Sequence, residues 1–179
     1  HQLSATSYGL MSALMAVFAV VAYVSIGLQT KCADLVAKSP SSQSFSLGHP
    51  VVSHWFRNSV LASISIAGLI IVFSSTMATQ LHAKQYHIIL LGIAIATILP
   101  LSCLRGFLLG KELYFGLSLN MVAESATKFV AAYIVLKSGY GLAVVILTII
   151  GGQLVGLLLA LTAIQYPRQD TTTADLDPP

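Results

Sequence analysis

Five stretches of this 179-residue chain, residues 9–30, 59–80, 87–104, 113–136 and 141–165, are apolar over the length a helix needs to cross a bilayer. A hydrocarbon core of about 30 Å takes about 20 helical residues. The first, second and fifth stretches contain no Asp, Glu, Lys or Arg, and the third ends at Arg105. Lipid offers no hydrogen bonds, so a spanning backbone must satisfy its own polar groups, as a helix or as a closed barrel. The stretches lack the apolar/polar alternation of a barrel strand. The expected fold is therefore all-α: a polytopic transmembrane helical bundle with five visible spans over residues 1–166.

Composition agrees. Only 8% of residues are charged and 56% are hydrophobic, whereas soluble domains carry about 25% charged residues. The net charge of +3 comes from scattered Lys and Arg with no basic run, so no nucleic-acid partner is expected. Membrane lipid is the expected surrounding. Cys32 and Cys103 are too few and too isolated for a disulfide framework or a metal site, and each reads as a buried structural thiol. His49, His54, His82 and His87 lie in or beside loops without metal-ligand spacing. No nucleophile elbow, phosphate loop or dinucleotide fingerprint occurs. Neither an enzyme nor a cofactor is expected.

Residues 113–136 contain the exception. Glu124 and Lys128 sit near the middle of this apolar run, where a single charge costs about 2.5–3.5 kcal/mol even on the lenient insertion scale. Their i, i+4 order, Glu first, favours a helical ion pair. Asn120 lies one turn earlier and Thr127 is adjacent, so Asn120, Glu124, Thr127 and Lys128 form one polar stripe. Two readings follow. The stripe lines a water-filled path for a charged solute, or it is a neutralised pair that locks this helix against a neighbour.

Other features concern packing and topology. Pro100 predicts a kink in the third span, either a hinge or a fixed bend healed by Ser102 or a neighbouring helix. Gly152 and Gly156 have a small-xxx-small spacing suited to close helix packing inside the bundle. The first helix is expected to overrun the membrane through Lys31, Asp34 and Lys38 and to stop at Ser39-Pro40. Residues 39–56 then form the longest connection, with Trp55 as an interfacial anchor, and the tail 167–179 is expected to be disordered. One set of connections holds Lys31, Lys38, Arg57, Arg105, Lys111 and Arg168; the opposite set holds Lys84 and Lys137. The positive-inside rule puts the first set in the cytoplasm, the N-terminus outside and the tail inside. The chain opens at His1 without the pattern of a signal peptide, so one further helix upstream is expected.

Several segments in order resemble a known family. Tyr8-Gly9 precedes an apolar helix closing on Gly27-Leu28-Gln29-Thr30. Leu104-Arg105-Gly106-Phe107-Leu108-Leu109-Gly110 is followed by Tyr114-Phe115. Asn120, Glu124 and Lys128 come next, and Gly139-Tyr140-Gly141 introduces the last helix. This order resembles the N-terminal half of bacterial polysaccharide biosynthesis membrane proteins, the oligosaccharide flippases of the multidrug/oligosaccharidyl-lipid/polysaccharide exporter superfamily. The resemblance covers most of residues 5–165. It implies the second to sixth helices of a six-helix lobe, completed by a second lobe or a partner helical subunit. It further implies transport of a lipid-linked oligosaccharide across the cytoplasmic membrane, with Lys128, and Arg105 at the cytoplasmic mouth, attracting an anionic head. Lysine at position 128 stands where arginine is expected; it keeps the charge and loses the bidentate fork. Rival expectations are a cation-coupled drug or metabolite antiporter of the same superfamily, with Glu124 as the coupling carboxylate, and a non-transporting membrane scaffold.

Overall fold

The computed structural model describes residues 5–38, 50–81 and 83–165. Among them are six helices and no strand: α1 (Ala5–Ala37), α2 (Pro50–Val72), α3 (Ser74–Gln80), α4 (Gln85–Gly110), α5 (Tyr114–Lys137) and α6 (Leu142–Gln165). All but the short α3 are long and apolar enough to cross a membrane, so the chain is an all-α, multi-pass membrane protein in architecture. The stop at Ser39-Pro40 and the tail 167–179 lie outside the described residues.

The second and third spans depart from the apolar stretches that announce them, while the first runs as expected. α1 does continue through Lys31 and Asp34, with Lys38 Nζ 2.8 Å from Asp34 Oδ1. The second span is displaced. Helix begins at Pro50, a residue suited to the first helical position because it has no N–H to leave unsatisfied. Trp55 is therefore helical and packs on the core rather than ending a loop. The run 59–80 does not remain one helix. It breaks at Phe73, before the pair Ser74-Ser75, although backbone bonds from Phe73 to Leu69 and from Met77 to Phe73 (both 3.0 Å) carry the chain through the bend. Gln85 donates to Ser74 Oγ at 3.1 Å and ties this bend to the start of α4.

The third correction matters most for the site. Arg105 does not end the third span: α4 runs on to Gly110. Five uncharged residues, Gly106-Phe107-Leu108-Leu109-Gly110, follow the arginine, and nothing in them stops a helix. The stop comes at Lys111-Glu112-Leu113. Glu112 takes a left-handed φ of 58°, and its N–H and that of Leu113 bond back to Leu109 and Leu108 (both 3.0 Å). Gly139 does the same after α5 with φ 74°, where glycine is the usual residue. These two short turns set α5 antiparallel to both α4 and α6.

α4 is the hub; α1, α2, α3, α5 and α6 all pack on it. Buried apolar side chains gather at two levels. Leu14, Ile88, Leu91, Ile95, Leu142, Ile146 and Ile150 form one cluster. Val52, Leu101, Leu104, Phe107, Leu108, Ala160 and Ile164 are members of the other. Between them along α4 and α6 lie buried or half-buried polar groups, where Thr97 donates to Gln153 Oε1 at 2.8 Å. Pro100 sits at this level. It has no N–H for the carbonyl of Ala96 four residues back, and Ser63 of α2 supplies the missing donor at 2.8 Å, shared with the Ile95 carbonyl at 3.1 Å. The carbonyl that Pro100 leaves without its helical donor is thus satisfied from a neighbouring helix.

Candidate functional site

The site starts from a helix with an inverted pattern. The only buried residues of α5 are Asn120 and Glu124, while Phe115, Val122, Phe129 and Tyr133 are exposed. In water that arrangement would be unstable. In lipid it is the arrangement expected, since apolar side chains face the tails and polar ones face other helices.

Four of the five sequence-marked residues meet. Glu124 receives the Arg105 guanidinium on Oε2 and the Lys128 ammonium on Oε1. Arg105 Nε donates to Asn120 Oδ1 at 2.7 Å. Asn120, which has no exposed surface, uses its amide Nδ2 to donate to the carbonyl of Gly156 on α6. The chain of bonds therefore runs from α6 through α5 to α4 and back to α5. It holds two cations and one carboxylate. Side-chain exposure falls in the order Lys128 28%, Arg105 14%, Glu124 9%, so Lys128 is the most open member; it bonds Glu124, where Arg105 bonds both Glu124 and Asn120. Thr127 stands apart: its hydroxyl donates to the Ala123 carbonyl of its own helix at 2.7 Å.

Glycines make the room. A Cβ on Gly152 would run into the Lys128 stem and lie 3.1 Å from the Glu124 carbonyl oxygen. One on Gly156 would lie 3.3 Å from Glu124 Oε2. The small-xxx-small pair of α6 thus forms the bed on which the charged residues of α5 rest, and its role is packing inside the bundle.

Arg105 is the largest change from the sequence reading, which places it at the membrane mouth. It is instead a helical residue, five positions inside the end of α4 and turned onto Glu124. The apolar residues after it were the available signal. Gln153 and Ser63, both buried, carried no signal of their own, because an isolated amide or hydroxyl in an apolar run says nothing about its partner. Of the loop cations, Lys111 lies in the α4–α5 turn, where burial pushes its amine below the usual lysine range. Among the described residues no group of three His, Cys, Asp or Glu side chains converges to hold a metal ion. Comparison with known proteins gave no match: no family model, no curated protein and no solved structure matches this chain.

Proposed function

We propose that this chain is part of a transporter that moves an anionic, lipid-linked oligosaccharide or polysaccharide precursor across the cytoplasmic membrane. The observation that carries the reading is the excess of positive charge in the partly buried network: Arg105 and Lys128 share the single carboxylate of Glu124. Two cations would not be held together inside a bundle of apolar helices without a use for the uncancelled charge. A diphosphate head is a matching counter-ion. Lys128, the most exposed member, is the group that changes partner, from Glu124 to phosphate. Arg105, tied to both Asn120 and Glu124, stays in place and keeps the carboxylate from following. The resemblance to oligosaccharide flippases supports the same substrate class and a second lobe facing this one. Without Arg105, the cations near the helix ends on one side, Lys31, Lys38, Arg57, Lys111 and Arg168, still outnumber Lys84 and Lys137 on the other, which supports a cytoplasmic tail.

The antiporter reading is weaker. Both oxygens of Glu124 are occupied by protein cations, so a coupling ion would have to displace one of them. The scaffold reading has a specific observation in its favour, the completeness of the same bonds. Export of the glycan in cells carrying Lys128→Ala, Lys128→Arg or Glu124→Gln separates the readings. Transport requires loss of export in Lys128→Ala, at least partial recovery in Lys128→Arg, and a defect in Glu124→Gln at normal membrane levels of protein. Wild-type export by both Lys128→Ala and Glu124→Gln would make the network a structural lock and nothing more.

A further inference from the structure

Cys32 and Cys103 are 71 positions apart, yet on α1 and α4 their Sγ atoms lie 3.4 Å from each other. Both are free thiols with no exposed surface. Their approach has a structural cause. α1 closes on α4 at Gly106 and Gly110, one and two turns beyond Cys103. A Cβ at Gly106 would collide with the Gln29 carbonyl and lie 2.6 Å from the Cys32 Cβ. One at Gly110 would lie 2.5 Å from the Ala33 carbonyl oxygen and 2.7 Å from the Val36 Cβ. The helix backbones are in near contact here, and Cys32 cannot retreat unless α1 leaves α4.

A disulfide needs its sulfurs about 2.03–2.05 Å apart, so the pair must close by about 1.4 Å. Side-chain rotation covers that distance where the backbones are already this close. We infer that Cys32 and Cys103 form a two-thiol modification site, which a membrane-permeant two-electron acceptor of the azo or quinone class converts to an intramolecular disulfide stapling α1 to α4. One S–S bond forms and two S–H bonds break. Two electrons and two protons pass to the acceptor, which leaves as a hydrazine or a hydroquinone. Full burial restricts the chemistry to small apolar oxidants and shields the thiols from bulky charged ones. The inference stands on the α1–α4 contact alone and is independent of transport.

The test uses the wild-type chain in lipid vesicles, treated with the azo oxidant diamide, then denatured, alkylated and weighed. The expected result is loss of both alkylatable thiols, a mass lower by two hydrogens, a monomer on a non-reducing gel, a single cross-linked peptide pairing Cys32 with Cys103, and return of both thiols on reduction. Cys32→Ser should keep the Cys103 thiol under the same treatment. The inference is overturned if both thiols survive diamide at levels that oxidise a dithiol control. It is equally overturned by oxygen addition to a single sulfur, by a cross-link between two chains, or by loss of the Cys103 thiol in Cys32→Ser.

Discussion

α4 and α5 touch across the ionic network and are built on opposite plans. In the most apolar 18-residue stretch of α4, 72% of residues are buried; in that of α5, 11% are. α4 buries Leu, Ile and Phe on all sides, and α5 buries an asparagine and a glutamate. The difference shows what holds each helix. Between helices in lipid the hydrophobic effect largely cancels, because tails are as apolar as leucine; close packing and interhelical hydrogen bonds remain. α4 relies on packing against five neighbours. α5 relies on a polar seam laid on the glycines of α6.

The largest expected effect tests that seam. Glu124→Ala would leave the partly buried Arg105 and Lys128 without their counter-charge; stranding a fully buried charge costs about 3–5 kcal/mol, and the partial exposure of both cations puts this loss at the lower end. Phe129→Ala, on the exposed face of the same helix at 76% exposure, should stay within about 0.5 kcal/mol, as surface substitutions usually do. Unfolding of both variants in mixed micelles measures the contrast, and equal losses would show that the polar bonds do not hold α5.

Next in size is a test of α4's packing. Gly106→Val adds a branched side chain whose Cβ alone would collide with the Gln29 carbonyl and Cys32. Overpacking of that kind costs about 1–3 kcal/mol, and pushing α1 away should slow diamide cross-linking of the two thiols. A stable variant that cross-links at the wild-type rate would mean that the α1–α4 contact is looser than its geometry.

The smallest effect belongs to the defect inside α4. Ser63→Ala removes the donor to the Ala96 carbonyl, worth about 0.6 kcal/mol by the average for interhelical polar bonds in membranes. In a Pro100→Ala background position 100 regains an N–H for that carbonyl, and the cost of Ser63→Ala should shrink toward zero. A double-mutant cycle reads the coupling; additive losses would mean that Ser63 does not heal the proline.

Much of the candidate site was legible in the sequence. Asn120, Glu124 and Lys128 share one helix, so their spacing along it already puts them on one face. The i, i+4 pairing of Glu124 with Lys128 is local and is formed. Arg105, Gly156, Ser63 and Gln153 belong to other helices, and which of them reaches which partner depends on how those helices rotate and cross. An apolar run carries no marker of its rotation in a bundle, because lipid-facing and helix-facing positions draw on the same residues.

The division follows from range. Length, apolarity and the scarcity of charge determined an all-α bundle of membrane-crossing helices, because lipid leaves the backbone no other way to satisfy itself. The sequence also marked α5 as a helix with one polar face. Only the tertiary structure decided that Arg105 turns inward to complete a network of two cations and one carboxylate, that Ser63 donates to the carbonyl left free by Pro100, and that two cysteines far apart in the chain come within 3.4 Å. Each of those is a meeting of two helices. It is set by where glycines let backbones close and where buried polar groups must find partners, and neither is fixed until the helices have docked.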